Sequence, residues 1–107
     1  MQLLQGEIVL VRMEFVQTGG GKVRPAVVLI DSGDSDFVAA PVTSRARVSD
    51  FDFPIHEWRY AGLNVESWVR VHKLTVLPKS CIALQLGRLS QSDHQALAAT
   101  LRSAFQV

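Results

Sequence analysis

Residues 22–44 read KVRPAVVLIDSGDSDFVAAPVTS. Two runs rich in Val, Ile, Leu and Ala flank a cluster of Ser, Gly and Asp. β-Branched residues favour extended backbone, and the cluster at Ser32–Asp36 carries turn chemistry, so this stretch predicts strand, turn, strand. Each run holds one proline, Pro25 and Pro41. Proline has no amide to give to a ladder, so each is expected at a strand beginning, a strand end or an edge. Upstream, GEIVLVRMEF at 6–15 predicts another strand. Between the two lies Gln17–Lys22, with glycines at 19, 20 and 21. Such a run is expected as a flexible loop, not as strand or helix.

Downstream the pattern is less regular. SRARVSD at 44–50 reads as loop, FDFPIHEW at 51–58 as a short strand, and Tyr60–Asn64 as a turn around Gly62. ESWVRVHKL at 66–74 predicts a strand with Trp68, Arg70 and His72 on one face and Val69, Val71 and Lys73 on the other. CIALQL at 81–86 predicts a last strand, ended by Gly87. The C-terminus changes period: Ser90 and Asp93 resemble a capping box, and Leu97, Leu101 and Phe105 recur at every fourth position, with Ala98 and Ala104 beside them. Short strands in series closed by one helix, without alternating strand and helix, predict a mainly β fold. A small, strongly bent antiparallel barrel with a C-terminal helix fits best.

The chain has 107 residues, 48% hydrophobic and 20% charged, as expected for a single ordered domain over 1–107. No stretch approaches the roughly 18 apolar residues of a membrane span, and the N-terminus lacks a basic leader, so no membrane partner and a cytoplasmic setting are expected. The lone cysteine, Cys81, excludes an internal disulfide. The net charge of +1 argues against a general polyanion binder. Its distribution is uneven. Six acids against Arg45 and Arg47 give residues 31–57 a net −4, and five cations against Glu66 give residues 58–92 a net +4. Folding can interleave and cancel these.

Several motifs fail. Gly19–Lys22 suggests a phosphate loop, but Val16 stands where that pattern needs glycine and Val23 where it needs Ser or Thr. His56, His72 and His94 have no close-spaced partner for a metal, and no G-x-S-x-G elbow is present.

The ordered set GEIVLVRMEF, glycine loop, KVRPAVVL, VAAPVTS, SWVRVHKLTVLPKS and LGRLSQSDHQAL resembles the MazF/PemK family of toxins from type II toxin–antitoxin systems, from about Gly6 to Phe105. The resemblance implies an SH3-like barrel with a C-terminal helix and a homodimer. It also implies a sequence-selective endoribonuclease, an mRNA interferase. Such an enzyme cuts single-stranded RNA with no metal or cofactor and is silenced by a cognate antitoxin. By position, Arg24 matches the family's Arg-Pro arginine, Thr43 and Ser44 its hydroxyl pair, and Arg70 an arginine that some members use as acid or phosphate ligand. His72 falls where those members carry an acid.

The chemistry can be read beside the resemblance. Cleavage by the ribose 2′-hydroxyl needs a base, an acid and donors around the phosphate. Arginine suits the phosphate through its planar fork, and histidine suits the base. If Arg24 and Thr43 lie on neighbouring strands, Arg24, Thr43, Arg70 and His72 are expected to line one groove as the catalytic set. Glu14 is a candidate anchor for an active-site arginine. Lys22, Pro25, Ser44, His56 and Lys73 are candidate substrate contacts, and Trp58 and Tyr60 candidate stacking platforms. Each has a plainer reading: Arg24 in a surface ion pair, Thr43 and Ser44 satisfying backbone at a strand end, His72 on the barrel surface, Trp58 and Tyr60 in packing or dimer contacts. Two rival functions stay open: a CcdB-like gyrase poison on the same fold, and a degenerate member that only binds RNA or a partner.

Overall fold

A computed structural model describes residues 1–15 and 20–107, with the backbone path alone for 13–15 and 20–21. Seven strands and one helix follow in order: β1 (Glu7–Phe15), β2 (Gly20–Ile30), β3 (Asp36–Thr43), β4 (Asp52–Pro54), β5 (Trp68–Arg70), β6 (Thr75–Pro78), β7 (Ile82–Arg88) and α1 (Gln91–Ala104). All pairings are antiparallel, in the order β4-β5-β3-β2-β1-β7, with β6 also on β3. The result is the bent, barrel-like sheet with a terminal helix that the sequence predicts. No helix among the described residues is long and apolar enough to cross a membrane.

The alternation along the strands sorts side chains onto two faces. Ile8, Val27, Leu29, Ala40 and Val42 face the main core, where Phe53, Ile55, Val69, Val71, Leu89 and Leu97 join them. Val9, Val11, Ala26, Val28, Phe37 and Ala39 face a second core, covered by Leu3. The helix stripe enters the main core through Leu97, fully buried, and Leu101, while Phe105 at the helix end is exposed.

Several local expectations are corrected. Gly20 and Gly21 are not loop: β2 starts at Gly20, paired with Phe15 and Glu14 across a long β1–β2 ladder that extends the strand into the glycine run. Pro25 and Pro41 stand inside their strands, each at a local edge, which is the edge position the sequence offers. Pro25 lies where β2 is paired to β1 only, since the β2–β3 ladder begins at Ala26. Pro41 lies opposite an interruption on the other side of β3. That interruption also corrects the strand expected through residue 74. β5 and β6 run along the same side of β3, but the register steps by three residues between Val42↔Val69 and Ala39↔Thr75. A 3₁₀ turn at Val71–Lys73 takes up the step. β6 itself was not anticipated, and β7 continues through Gly87 to Arg88.

Candidate active site

Strand order brings Arg24 and Thr43 together. β2 and β3 are neighbours with Ala26 opposite Pro41, and two residues further along that register in each strand stand Arg24 and Thr43. A cavity of about 410 Å³ opens there. Lys22, Arg24 and Pro25 come to it from β2, Thr43, Ser44 and Arg45 from the end of β3, Leu63, Asn64, Val65 and Ser67 from the segment before β5, and Leu10 and Leu86 from β1 and β7. Its described lining holds three cations and no carboxylate, histidine or cysteine. The arrangement suits an anion: arginine offers a planar fork of donors and keeps its charge at any working pH. Thr43 Oγ1 accepts a hydrogen bond from the Arg45 backbone N–H at 3.1 Å, which leaves the hydroxyl proton free to donate.

Arg70 and His72 do not join this lining. Arg70 Nε donates to Asp52 Oδ1 at 3.0 Å, across the β4–β5 pair. Burial pushes the Asp52 carboxyl up, but the Ser49 hydroxyl, at 2.6 Å, and the Arg70 guanidinium outweigh it and hold it below its ordinary range. The register step places His72 on the 3₁₀ turn, beside Phe51 (ring centroids 5.5 Å apart) and in a shallow hollow with Leu74 and Phe105. Its Nε2 lies 3.4 Å from the Arg70 guanidinium.

The remaining candidates separate likewise. Lys73 lines an apolar groove of about 270 Å³ that shares Arg24 and Pro25 with the cavity. His56 is exposed, and its backbone N–H is held by Asp93. Trp58 is half-buried against the main core, with the Arg59 guanidinium 4.6 Å over its ring. Tyr60 lies in a separate hollow with Arg88 and His94. The Glu14 side chain and residues 17–19 of the glycine loop lie outside the described residues. Sequence reasoning missed Asn64, Leu63 and Leu86, which reach the cavity from distant parts of the chain. No motif marks them.

The fold and this cavity define a small barrel-like sheet protein with a basic, hydroxyl-bearing pocket at the β2–β3 edge. The model of the PemK-like, MazF-like toxins of type II toxin–antitoxin systems matches residues 4–105, and the chain belongs to that family. Among solved structures it is similar to the Mycobacterium tuberculosis toxin MazF-mt6, with TM-score 0.77 and 24% identity over 94% of this chain and 97% of that one. It is also similar to a mycobacterial endoribonuclease in complex with its cognate antitoxin (TM-score 0.78, 14% identity, 99% and 97% covered). A third is MazF in a MazE–MazF complex from Deinococcus radiodurans (TM-score 0.75, 22% identity, 94% and 92% covered). At these identities the structures show a shared fold. A search of curated proteins gives no match.

Proposed function

We propose that this toxin is a metal-independent endoribonuclease that cuts single-stranded RNA, acts as a homodimer and is silenced by a cognate antitoxin. One observation carries the reading: Arg24, Thr43 and Ser44 converge on a single cavity with Lys22 and Arg45 and with no carboxylate in its described lining. The ribose 2′-oxygen attacks the adjacent phosphorus and gives its proton to water. The P–O5′ bond breaks, the 5′-oxygen takes a proton back from water, and a 2′,3′-cyclic phosphate remains. Arg24 holds the non-bridging oxygens as charge builds on them, and the Thr43 and Ser44 hydroxyls donate to the same group. Lys22 and Arg45 meet neighbouring phosphates and position the strand. The antitoxin partner is carried over from the complexes of the similar toxins. His72, expected as the base, stands outside the cavity and has no part in this scheme.

The test is cleavage of a long single-stranded RNA by the purified protein in excess EDTA, with product ends assayed for 2′,3′-cyclic phosphate. Wild type gives discrete cuts. Arg24→Ala slows them by about 10²–10³, the usual effect of removing a donor that meets developing charge. His72→Ala cuts like wild type. Cutting by Arg24→Ala at the wild-type rate overturns the assignment of the site, and the absence of cuts with folded wild-type protein overturns the nuclease reading. A pull-down for gyrase then tests the binding-toxin alternative.

A further inference from the structure

The cavity has more surface than a phosphate needs. Beside Arg24 and Thr43 it is walled by Leu10, Val23, Val42, Leu63 and Leu86, an aliphatic surface with no anionic partner to offer. Asn64 lies on the same lining, on the segment between β4 and β5. It is exposed, and among the described residues its side-chain amide makes no hydrogen bond. Ser67, the neighbouring polar side chain, is already engaged: its hydroxyl donates to the Val65 carbonyl at 2.9 Å and holds the bend. The aromatic residues that sequence reasoning offered for stacking are elsewhere.

We infer that the aliphatic wall receives one base of the RNA, next to the phosphate held by Arg24 and Thr43, and that Asn64 reads that base by its edge. This inference rests on the nuclease reading and deepens it. Single-stranded RNA can splay a base into a pocket, where its flat faces need apolar contact and its edge needs matched polar groups. A volume of about 410 Å³ is at the small end of ligand pockets, suited to one nucleotide unit. An asparagine amide presents a donor beside an acceptor, the complement of a base edge that offers both. The cations Lys22, Arg24 and Arg45 draw the backbone and carry no sequence information. Asn64 is therefore a specificity-determining residue, separate from the groups that meet the phosphate.

The test reads specificity and rate apart. A randomised single-stranded RNA pool is cut by wild type, Asn64→Ala and Asn64→Asp, and the cut sites are sequenced. Wild type shows a base preference at one position flanking the cut. Asn64→Ala flattens that position by about tenfold while preferences elsewhere stay. Asn64→Asp presents two acceptors and shifts the same position toward guanine, whose Watson–Crick edge sets two donors side by side. Circular dichroism confirms that both variants are folded. An unchanged preference at every position, or an equal loss of cutting on all sequences, overturns the inference. If wild type cuts no RNA, the pool fraction it retains on a filter is sequenced instead. A base preference there that Asn64→Ala removes supports the base pocket and sinks only the nuclease reading. No preference in the retained fraction, or no retention, sinks the pocket as well.

Discussion

At the scale of single residues, two ion pairs show how folding treats the uneven charge of the sequence. Each takes an acid from the 31–57 segment and a cation from the 58–92 segment: Asp52 with Arg70 at 3.0 Å and Asp31 with Lys79 at 2.9 Å. The Asp31 side chain is fully enclosed, and it accepts from Leu3 N at 2.7 Å and Gly33 N at 2.9 Å besides Lys79. The Leu3 amide, then Lys79 and the Gly33 amide, hold its carboxyl down at about 2. A carboxyl lowered by folding stabilises the native state above its unfolded pKa, and that contribution is lost as pH falls through the folded one. Asp31→Asn therefore lowers the urea midpoint at pH 7. The gap from wild type narrows as pH falls from about 4 and closes near pH 2. A gap that is constant over that range would show that the carboxylate charge plays no part. Because Leu3 covers the second core, the same bonds pin that cover in place.

At the scale of elements, the helix start ties two distant parts together. Ser90 caps α1 by accepting from the Asp93 N–H at 3.2 Å, as the sequence pattern predicts. The Asp93 carboxylate, almost fully buried, accepts from the backbone of His56 at 3.0 Å and Glu57 at 2.9 Å. A capping motif predicts the first contact and not the second, which depends on where the 55–63 segment passes. Asp93→Ala leaves both amides without their acceptor and costs about 2–4 kcal/mol. Asp93→Asn keeps one acceptor oxygen and costs less. Chemical denaturation of the two variants beside Ser90→Ala, expected to lose about 1 kcal/mol, checks the order. A cost for Asp93→Ala no greater than that of the cap variant would show that the 56–57 amides find water instead. Legibility follows the same division. β1, β2 and β3 were readable from their β-branched runs and the turn residues before β3, though not the start of β2 at Gly20, and α1 from its four-residue period and its cap. The end of β5 was not, since Val69 and Val71 are buried whether Val71–Lys73 is strand or 3₁₀ turn. That local misreading put His72 on one face with Arg70, but the family pattern put both in the expected groove, and Arg70 stays outside the cavity although its strand is as predicted.

At the scale of the whole molecule, the cavity depends on how the sheet closes on itself. Arg24, Thr43 and Ser44 were legible because the family pattern marks them. The wall opposite in sequence, Leu63 to Ser67 and Leu86, was not, because tertiary packing alone brings it there. The turn before Leu63 lies backbone to backbone on β7. A Cβ on Gly87 would stand 2.6 Å from the Ala61 carbonyl oxygen, and one on Gly62 would stand 2.6 Å from that of Leu86. Neither neighbour is a flexible side-chain tip that could swing aside, and Ala61 is itself fully buried. Gly87→Ala must therefore push the turn off the strand, at about 1–3 kcal/mol for such overpacking. Leu63 and Asn64 follow the turn directly, with Leu63 N bonded to the Trp58 carbonyl at 2.9 Å, so the displacement passes into the cavity wall. The expected outcome is a lowered melting temperature together with slower RNA cutting. Gly33→Ala is the control. Gly33 has a φ of +95° but nothing within 4 Å of the added carbon, so it brings backbone strain without moving the wall. It should lose stability and keep its cutting rate. If Gly87→Ala loses stability but cuts RNA as fast as Gly33→Ala, the contact between the turn and β7 supports the fold without shaping the site.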